Sequence, residues 1–206
     1  IRGLSGERVL LKIDEARYKL NLPKEKRIIG FFGRFKTMGM DKGLEDILRS
    51  LKIIENNIIL LAMGGKPKDI QYYSNRAKEL GVSGRTMFIE HLNQNEVALR
   101  QQACDLLLMP FPNREHYAYY MSPLKMFEYM ASKRPIIATD LPSVREVLNE
   151  NNSFLVEPDN TENLAEIIKR ALENKDLSNK IANQAFLDVQ KYTWDKRVEK
   201  IINFIQ

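Results

Sequence analysis

The sequence predicts a doubly wound α/β protein, with one parallel sheet and helices on both of its faces. Two observations carry that prediction. Short runs that are apolar at every position recur from Ile28 to Val156, as strands buried on both faces require. Between them lie longer segments whose apolar residues fall at helical spacing, as in Leu44, Ile47, Leu48 and Leu51. Strands alternating with helices imply right-handed crossovers and a parallel sheet, whose ligands bind outside the carboxyl ends of the strands.

The elements follow in order. Residues 1–26 read as a linker with one short helix, Asp14 to Leu20, ended by Asn21-Leu22-Pro23. The opening Ile1-Arg2-Gly3-Leu4 starts abruptly, as a piece of something longer would. Residues 27–160 form the βα core. Its strands are expected at Ile28–Phe32, Ile58–Met63, Thr86–Ile89, Leu106–Met109, Ile136–Thr139 and Phe154–Val156. Its helices are expected at Leu44–Ile54, after Gly64-Gly65 up to Leu80, at Glu96–Gln102 with Asn95 as N-cap, from Pro123 onward, and at Pro142–Leu148. Residues 161–206 read as three successive helices: Glu162–Glu173, Leu177–Lys191 and Trp194–Ile205. A single domain over 1–206 is the economical organisation.

Composition narrows the function classes. Hydrophobic residues make up 44% and charged residues 29%, the balance of an ordinary globular protein. One cysteine, Cys104, excludes an internal disulfide framework and points to a reducing compartment; its place before an apolar run suits a buried thiol. No apolar run reaches the ~20 residues that span a bilayer, and no secretory signal opens the chain. The expected location is therefore the cytoplasm. The net charge of +5 comes from scattered basic residues, suited to phosphates or to loose contact with acidic lipid at the inner membrane face. Nucleic acid is not an expected partner, because no basic stripe is interleaved with aromatics.

The chemistry concentrates in Tyr119-Tyr120-Met121-Ser122-Pro123-Leu124-Lys125-Met126-Phe127-Glu128-Tyr129-Met130-Ala131. Ser122 is expected to N-cap a helix with Pro123 at its first position. The backbone N–H groups of Met121 to Leu124 and the helix dipole would then seat an anion. Glu128, one turn beyond Leu124, would present a carboxylate able to accept hydrogen bonds from the paired hydroxyls of a ribose. Phosphate at the tip and a diol at the side suggest a nucleotide; the competing reading is a capped core helix with a solvated Glu128. Upstream, Gly33-Arg34 ends one strand and Lys42-Gly43 opens the next helix, so that two cations flank one loop and can grip a diphosphate. His91 and His116 lack the partners of a triad or a metal site, and no acidic pair is placed for a metal.

The string Pro123-Leu124-Lys125-Met126-Phe127-Glu128-Tyr129-Met130-Ala131, followed by Arg134-Pro135-Ile136-Ile137-Ala138-Thr139-Asp140, resembles the donor-site signature of family 4 retaining glycosyltransferases. The resemblance runs from about Arg27 to the end and is to the C-terminal, nucleotide-sugar-binding domain of a GT-B fold. It implies a Rossmann-like half of that fold, with Gly33, Arg34 and Lys42 on the donor's phosphates, where they stabilise the leaving diphosphate. It further implies Glu128 on the ribose, and passage of the His91 loop close to the nucleobase, against the plainer reading of His91 as a surface histidine. The donor would be a UDP- or GDP-sugar, needing no metal or other cofactor, and the acceptor an unknown glycan or lipid-linked molecule. An N-terminal acceptor domain is part of that enzyme, and nothing in this chain resembles it.

Three features depart from the family's pattern. Tyr120 stands where a first glutamate near the donor sugar is usual, and is expected to line the sugar pocket. Lys133 replaces the glycine that usually ends the central helix. The loop between Arg34 and Lys42 is longer than usual. A GT-B nucleotide-sugar epimerase and a non-catalytic sugar-nucleotide or protein-binding module are the alternatives to a transferase.

Overall fold

A computed structural model describes residues 10 to 205; the first nine residues, and with them the abrupt opening, lie outside the described part. Six parallel strands form the sheet: β1 (Arg27–Phe32), β4 (Ile58–Gly65), β5 (Thr86–Glu90), β6 (Leu106–Met109), β7 (Ile136–Thr139) and β8 (Phe154–Val156). Their order is β5-β4-β1-β6-β7-β8. Two β-α series thus run outward from β1 and β6 in opposite directions, and the crevice between those strands is the topological switch point.

The helices that cover the sheet are α2 (Leu44–Ile53), α3 (Pro67–Glu79), α4 (Gln94–Ala103), α6 (Leu124–Ala131), α7 (Pro142–Arg145), α8 (Thr161–Glu173) and α9 (Lys175–Asp188). Alternate residues of β1 enter opposite cores. Ile29 and Phe31 pack with Leu44, Ile47, Leu48 and Leu51 of α2. Ile28 and Phe32 pack with Met126, Tyr129 and Met130 of α6. Burial on both faces is why the strand reads as an unbroken apolar run.

Several local expectations need correction. Asn93, not Asn95, caps α4, its side-chain oxygen accepting from the Glu96 N–H at 3.0 Å. The Pro142 helix is shorter than predicted, stopping at Arg145. The long loop after β1 folds into a hairpin of β2 (Lys36–Thr37) and β3 (Met40–Asp41). Met38 and Gly39 at its tip both have positive φ, 53° and 78°, which suits a tight hairpin connection. A short helix, α5 (Glu115–Tyr119), was not foreseen.

At the amino ends of the strands, Arg17 of α1 (Ile13–Lys19) is buried and holds four groups together. Its guanidinium donates to the carbonyls of Ala103 at 3.0 Å, Lys24 at 3.2 Å and Lys26 at 3.0 Å, and to Asp105 Oδ2 at 2.6 Å. The same carboxylate oxygen accepts from the Ile28 N–H at 2.6 Å. Cys104 lies beside this cluster, fully buried, with its thiol pushed up by burial.

Lys133, just after α6, has φ 56°. A non-glycine residue in the left-handed region costs about 1–2 kcal/mol. Lys133→Gly is therefore expected to raise stability by roughly 0.5–1 kcal/mol, the relief being partly offset by glycine's greater freedom when unfolded. Urea denaturation checks this; a lower midpoint would mean that the contact of Lys133 Nζ with the Phe186 ring, 5.6 Å from its centroid, outweighs the strain.

Candidate functional site

β1 and β6 pair only at Ile29–Leu106 and Gly30–Leu107, and beyond Gly30 they part. Tyr129 of α6 fills the gap. Its phenol oxygen accepts from the Phe32 N–H at 2.8 Å and lies 3.4 Å from the carbonyls of Phe32 and Leu108. Burial holds this phenol protonated, its pKa well above the usual tyrosine value. The central helix is thereby fixed at the mouth of the crevice.

Above the mouth lies a cavity of about 700 Å³, within the size range of small-molecule sites. Gly33, Arg34, Lys42, His91, Leu124 and Glu128 all line it. Residues so far apart in the chain meet because their loops all follow carboxyl ends of strands. Gly33 and Gly64 form the floor, back to back: both have positive φ, 111° and 112°, and a Cβ on Gly64 would lie 2.6 Å from the Gly33 carbonyl oxygen. That contact is why Gly64 must be glycine, although β4 runs through it to Gly65 and does not turn there as predicted.

Electrostatically the cavity favours anions. Arg34, Lys42 and Lys66 line it against the single carboxylate of Glu128. Lys42 is half-buried, and burial together with the charge of Arg34 lowers its pKa, so a bound anion would relieve an existing repulsion. The N-terminus of α2 next to it is already occupied. Asp41 accepts from the N–H groups of Gly43 (2.8 Å), Leu44 (3.2 Å) and Glu45 (3.3 Å) and from the Tyr73 hydroxyl (2.6 Å). An anion in the cavity is thus left with the cationic side chains and the start of α6.

The start of α6 differs from the prediction. Pro123, not Ser122, stands at the cap position, with extended backbone (φ −75°, ψ 115°) and no side-chain cap. The Pro123 carbonyl accepts from the Met126 N–H at 3.0 Å. A residue before proline is steered away from helical conformations, and here the extended stretch continues through the proline itself. Ser122 consequently faces a second, smaller cavity of about 210 Å³ with Phe127, Tyr192 and Trp194. Met121 is half-buried against the α6 core. Tyr120 does not line the main cavity: it is 70% exposed, and its hydroxyl lies 3.5 Å from Glu115 Oε1. A larger depression of about 1010 Å³, lined by Ile53 and by charged residues of α8, is away from the strand ends and holds none of these residues.

Several residues at or behind the cavity wall were not foreseen. Thr37 of the hairpin lines the cavity, as do Lys66, Asn93 and Val97. Lys125 lies behind its wall, with its Nζ buried. Only the helical spacing of Lys125 relative to Leu124 and Glu128 could have drawn attention to it.

Among the described residues, no helix is long and apolar enough to cross a membrane. A family model described as glycosyl transferases group 1 matches residues 12–188. An uncharacterised glycosyltransferase of Methanocaldococcus jannaschii is 24% identical over 190 residues, covering 91% of this chain and 46% of that protein. Among solved structures, sucrose-phosphate synthase from Thermosynechococcus elongatus superposes with a TM-score of 0.80 at 22% identity, over 95% of this chain and 49% of that one. Anabaena HepE in complex with UDP-glucose does so with a TM-score of 0.80 at 20% identity, over 94% and 52%. The chain spans about half the length of the curated relatives it matches.

Proposed function

The chain belongs to the group 1 glycosyl transferases, and from that premise we propose that it is the donor-binding half of a retaining enzyme that moves a sugar from a nucleoside diphosphate to an acceptor. The observation that carries the proposal is the convergence of Arg34, Lys42, Leu124 and Glu128 on one cavity at the switch point of the sheet. Arg34 and Lys42 hold the diphosphate. As the glycosidic bond breaks, they stabilise the negative charge that develops on the leaving nucleotide, so the chemistry asks for charge stabilisation and not for a protein nucleophile or a metal. The first N–H groups of α6, which have no partner within the helix, assist. Glu128 accepts the ribose hydroxyls, and the loop at His91 lies toward the base. The acceptor, a glycan or a lipid-linked molecule, is bound by a separate N-terminal domain, and reaction occurs in the cleft between the two. We place the protein in the cytoplasm, its positive charge suited to loose contact with the acidic inner face of the membrane.

The complex of Anabaena HepE with UDP-glucose supports starting from uridine nucleotides. A thermal-shift screen over UDP-, GDP- and ADP-sugars tests the proposal, since a ligand that binds only the folded state raises the melting temperature. No shift with any of them would overturn it. Glu128→Ala is expected to weaken binding of the best ligand by about 1.5–3 kcal/mol, the scale of hydrogen bonds to a charged group, with little change in folding. Unaltered affinity in calorimetry would remove Glu128 from the ribose.

A further inference from the structure

Lys125 has no role in the arrangement described so far. Its Nζ is buried and has no hydrogen-bond partner among the described residues. It lies 4.0 Å from the centroid of the Phe31 ring and 4.8 Å from that of Phe111. Phe31 belongs to β1 and Phe111 follows β6, so the nitrogen sits within the switch point itself. Its stem passes directly behind Gly33, where a Cβ would come 3.8 Å from Lys125 Cδ. Gly33 lines the cavity, and so do Leu124 and Glu128 on either side of Lys125 along α6. Lys125 is therefore one layer from the cavity.

The charged groups around it do not pair with it. Lys42, from the start of α2, repels it; Asp41, from the hairpin, and Glu128, on its own helix, attract it. The Asp41 carboxylate is already committed to three backbone N–H groups and the Tyr73 hydroxyl. From α5, Tyr117 packs on Phe111 with ring centroids 5.1 Å apart and directs its hydroxyl to the Met40 carbonyl at 3.4 Å. An unpaired buried ammonium is unfavourable. Burial and the charge of Lys42 accordingly push the Lys125 pKa well below the usual lysine value. The faces of Phe31 and Phe111 nonetheless suit the charged form once a counter-charge arrives.

We propose that Lys125 is the third cation of the diphosphate site, and that the ligand charges it: when the phosphates settle between Arg34 and Lys42, their negative charge offsets that of Lys42 and Lys125 Nζ takes one proton from solvent. The inference rests on the donor-site reading. The sign follows directly. Between the lowered value in the free site and a higher value in the complex, binding consumes a proton, so affinity falls as pH rises through that window.

Calorimetric titration of the 206-residue chain with UDP-glucose and with GDP-mannose, at about pH 8 in two buffers of different ionisation enthalpy, counts that proton. At this pH an ordinary histidine is almost wholly neutral, and the sugar nucleotide's diphosphate diester does not titrate. The wild-type chain is expected to take up a net fraction of a proton per ligand, the same in sign at each pH of the window. Lys125→Met keeps an apolar side chain of similar length beside both rings; it is expected to take up clearly less proton than the wild-type chain, any remainder belonging to Lys42, and to bind roughly tenfold more weakly. Binding by the wild-type chain without proton uptake overturns the proposal, as does wild-type affinity with undiminished uptake in Lys125→Met. Lys125→Gln gives a second reading of the same difference, so the test stands even if Lys125→Met folds poorly. If the wild-type chain binds neither ligand, the donor-site reading fails and this proposal falls with it, an outcome distinct from binding without uptake.

Discussion

Arg17→Ala will lower the free energy of unfolding by about 3–5 kcal/mol, the scale of removing one partner from a buried ion pair. The substitution strips a donor from the carbonyls of Ala103, Lys24 and Lys26 and leaves Asp105 without its nearest cation. Arg27, 3.5 Å from Asp105 Oδ1 and partly exposed, cannot replace it. Arg17→Lys will recover little, since a single ammonium cannot reproduce a guanidinium that serves four acceptors on two separate segments. The cluster is at the amino ends of the strands, opposite the cavity, so the folded variant will bind nucleotide within about twofold of the wild-type chain. Urea denaturation and calorimetry measure the two effects. A loss of less than about 1 kcal/mol would mean that water takes over the guanidinium's hydrogen bonds.

Gly43→Ala is the substitution expected to damage both fold and site. Gly43 has φ 89°, and a Cβ there would be built 1.7 Å from the Pro110 carbonyl oxygen and 2.6 Å from its carbon. Both atoms are backbone, so no side chain can swing aside. The left-handed penalty of about 1–2 kcal/mol adds to an overpacking cost of about 1–3, for a total of roughly 2–5 kcal/mol. Relief requires the loop carrying Lys42 to lift from the segment after β6, which moves Lys42 away from Arg34, so nucleoside diphosphate affinity falls as well. Gly39→Ala is the control. Gly39 also has positive φ, 78°, but a Cβ there meets nothing within 4 Å, so only the conformational term applies. Equal destabilisation by the two substitutions would show that the contact with Pro110 yields easily.

The strands of the core were legible because burial on both faces leaves a local mark: each is a short run in which no position must face water. The glycine, arginine and lysine of the first loop and Glu128 were legible through the family resemblance, and the structure brings them to one cavity. What stayed hidden depends on partners distant in sequence or on turns without a strong signal. β2 and β3 have two residues each, too few to show alternation, and their tip is Met38-Gly39 where a hairpin signal would be Asn-Gly. The cap of α4 was placed on Asn95 because two asparagines lie two residues apart, and only the hydrogen bond to Glu96 separates them. Nothing local marks Arg17 or the Lys125 ammonium as buried, since charged residues are seldom fully buried. Their burial depends on acceptors about 90 residues away in the first case and on two separate aromatic rings in the second.

Cys104 gives the chain a clock of its own. The thiolate is what attacks a disulfide reagent, and this sulfur has no contact with water in the closed fold and an ionisation pushed well out of the neutral range. A Cβ on Gly30 of β1 would come 2.7 Å from it, and the thiol donates to the Arg100 carbonyl of α4 at 3.3 Å. For the sulfur to react, the end of α4 has to lift from β1. As this is the sole cysteine in the sequence, every labelled molecule has passed through that opening. The rate of labelling in excess reagent thus follows how often α4 parts from the sheet, in the way amide exchange reports cooperative opening. A ligand at the carboxyl end of β1 will slow it to the extent that the same opening also dissolves the cavity.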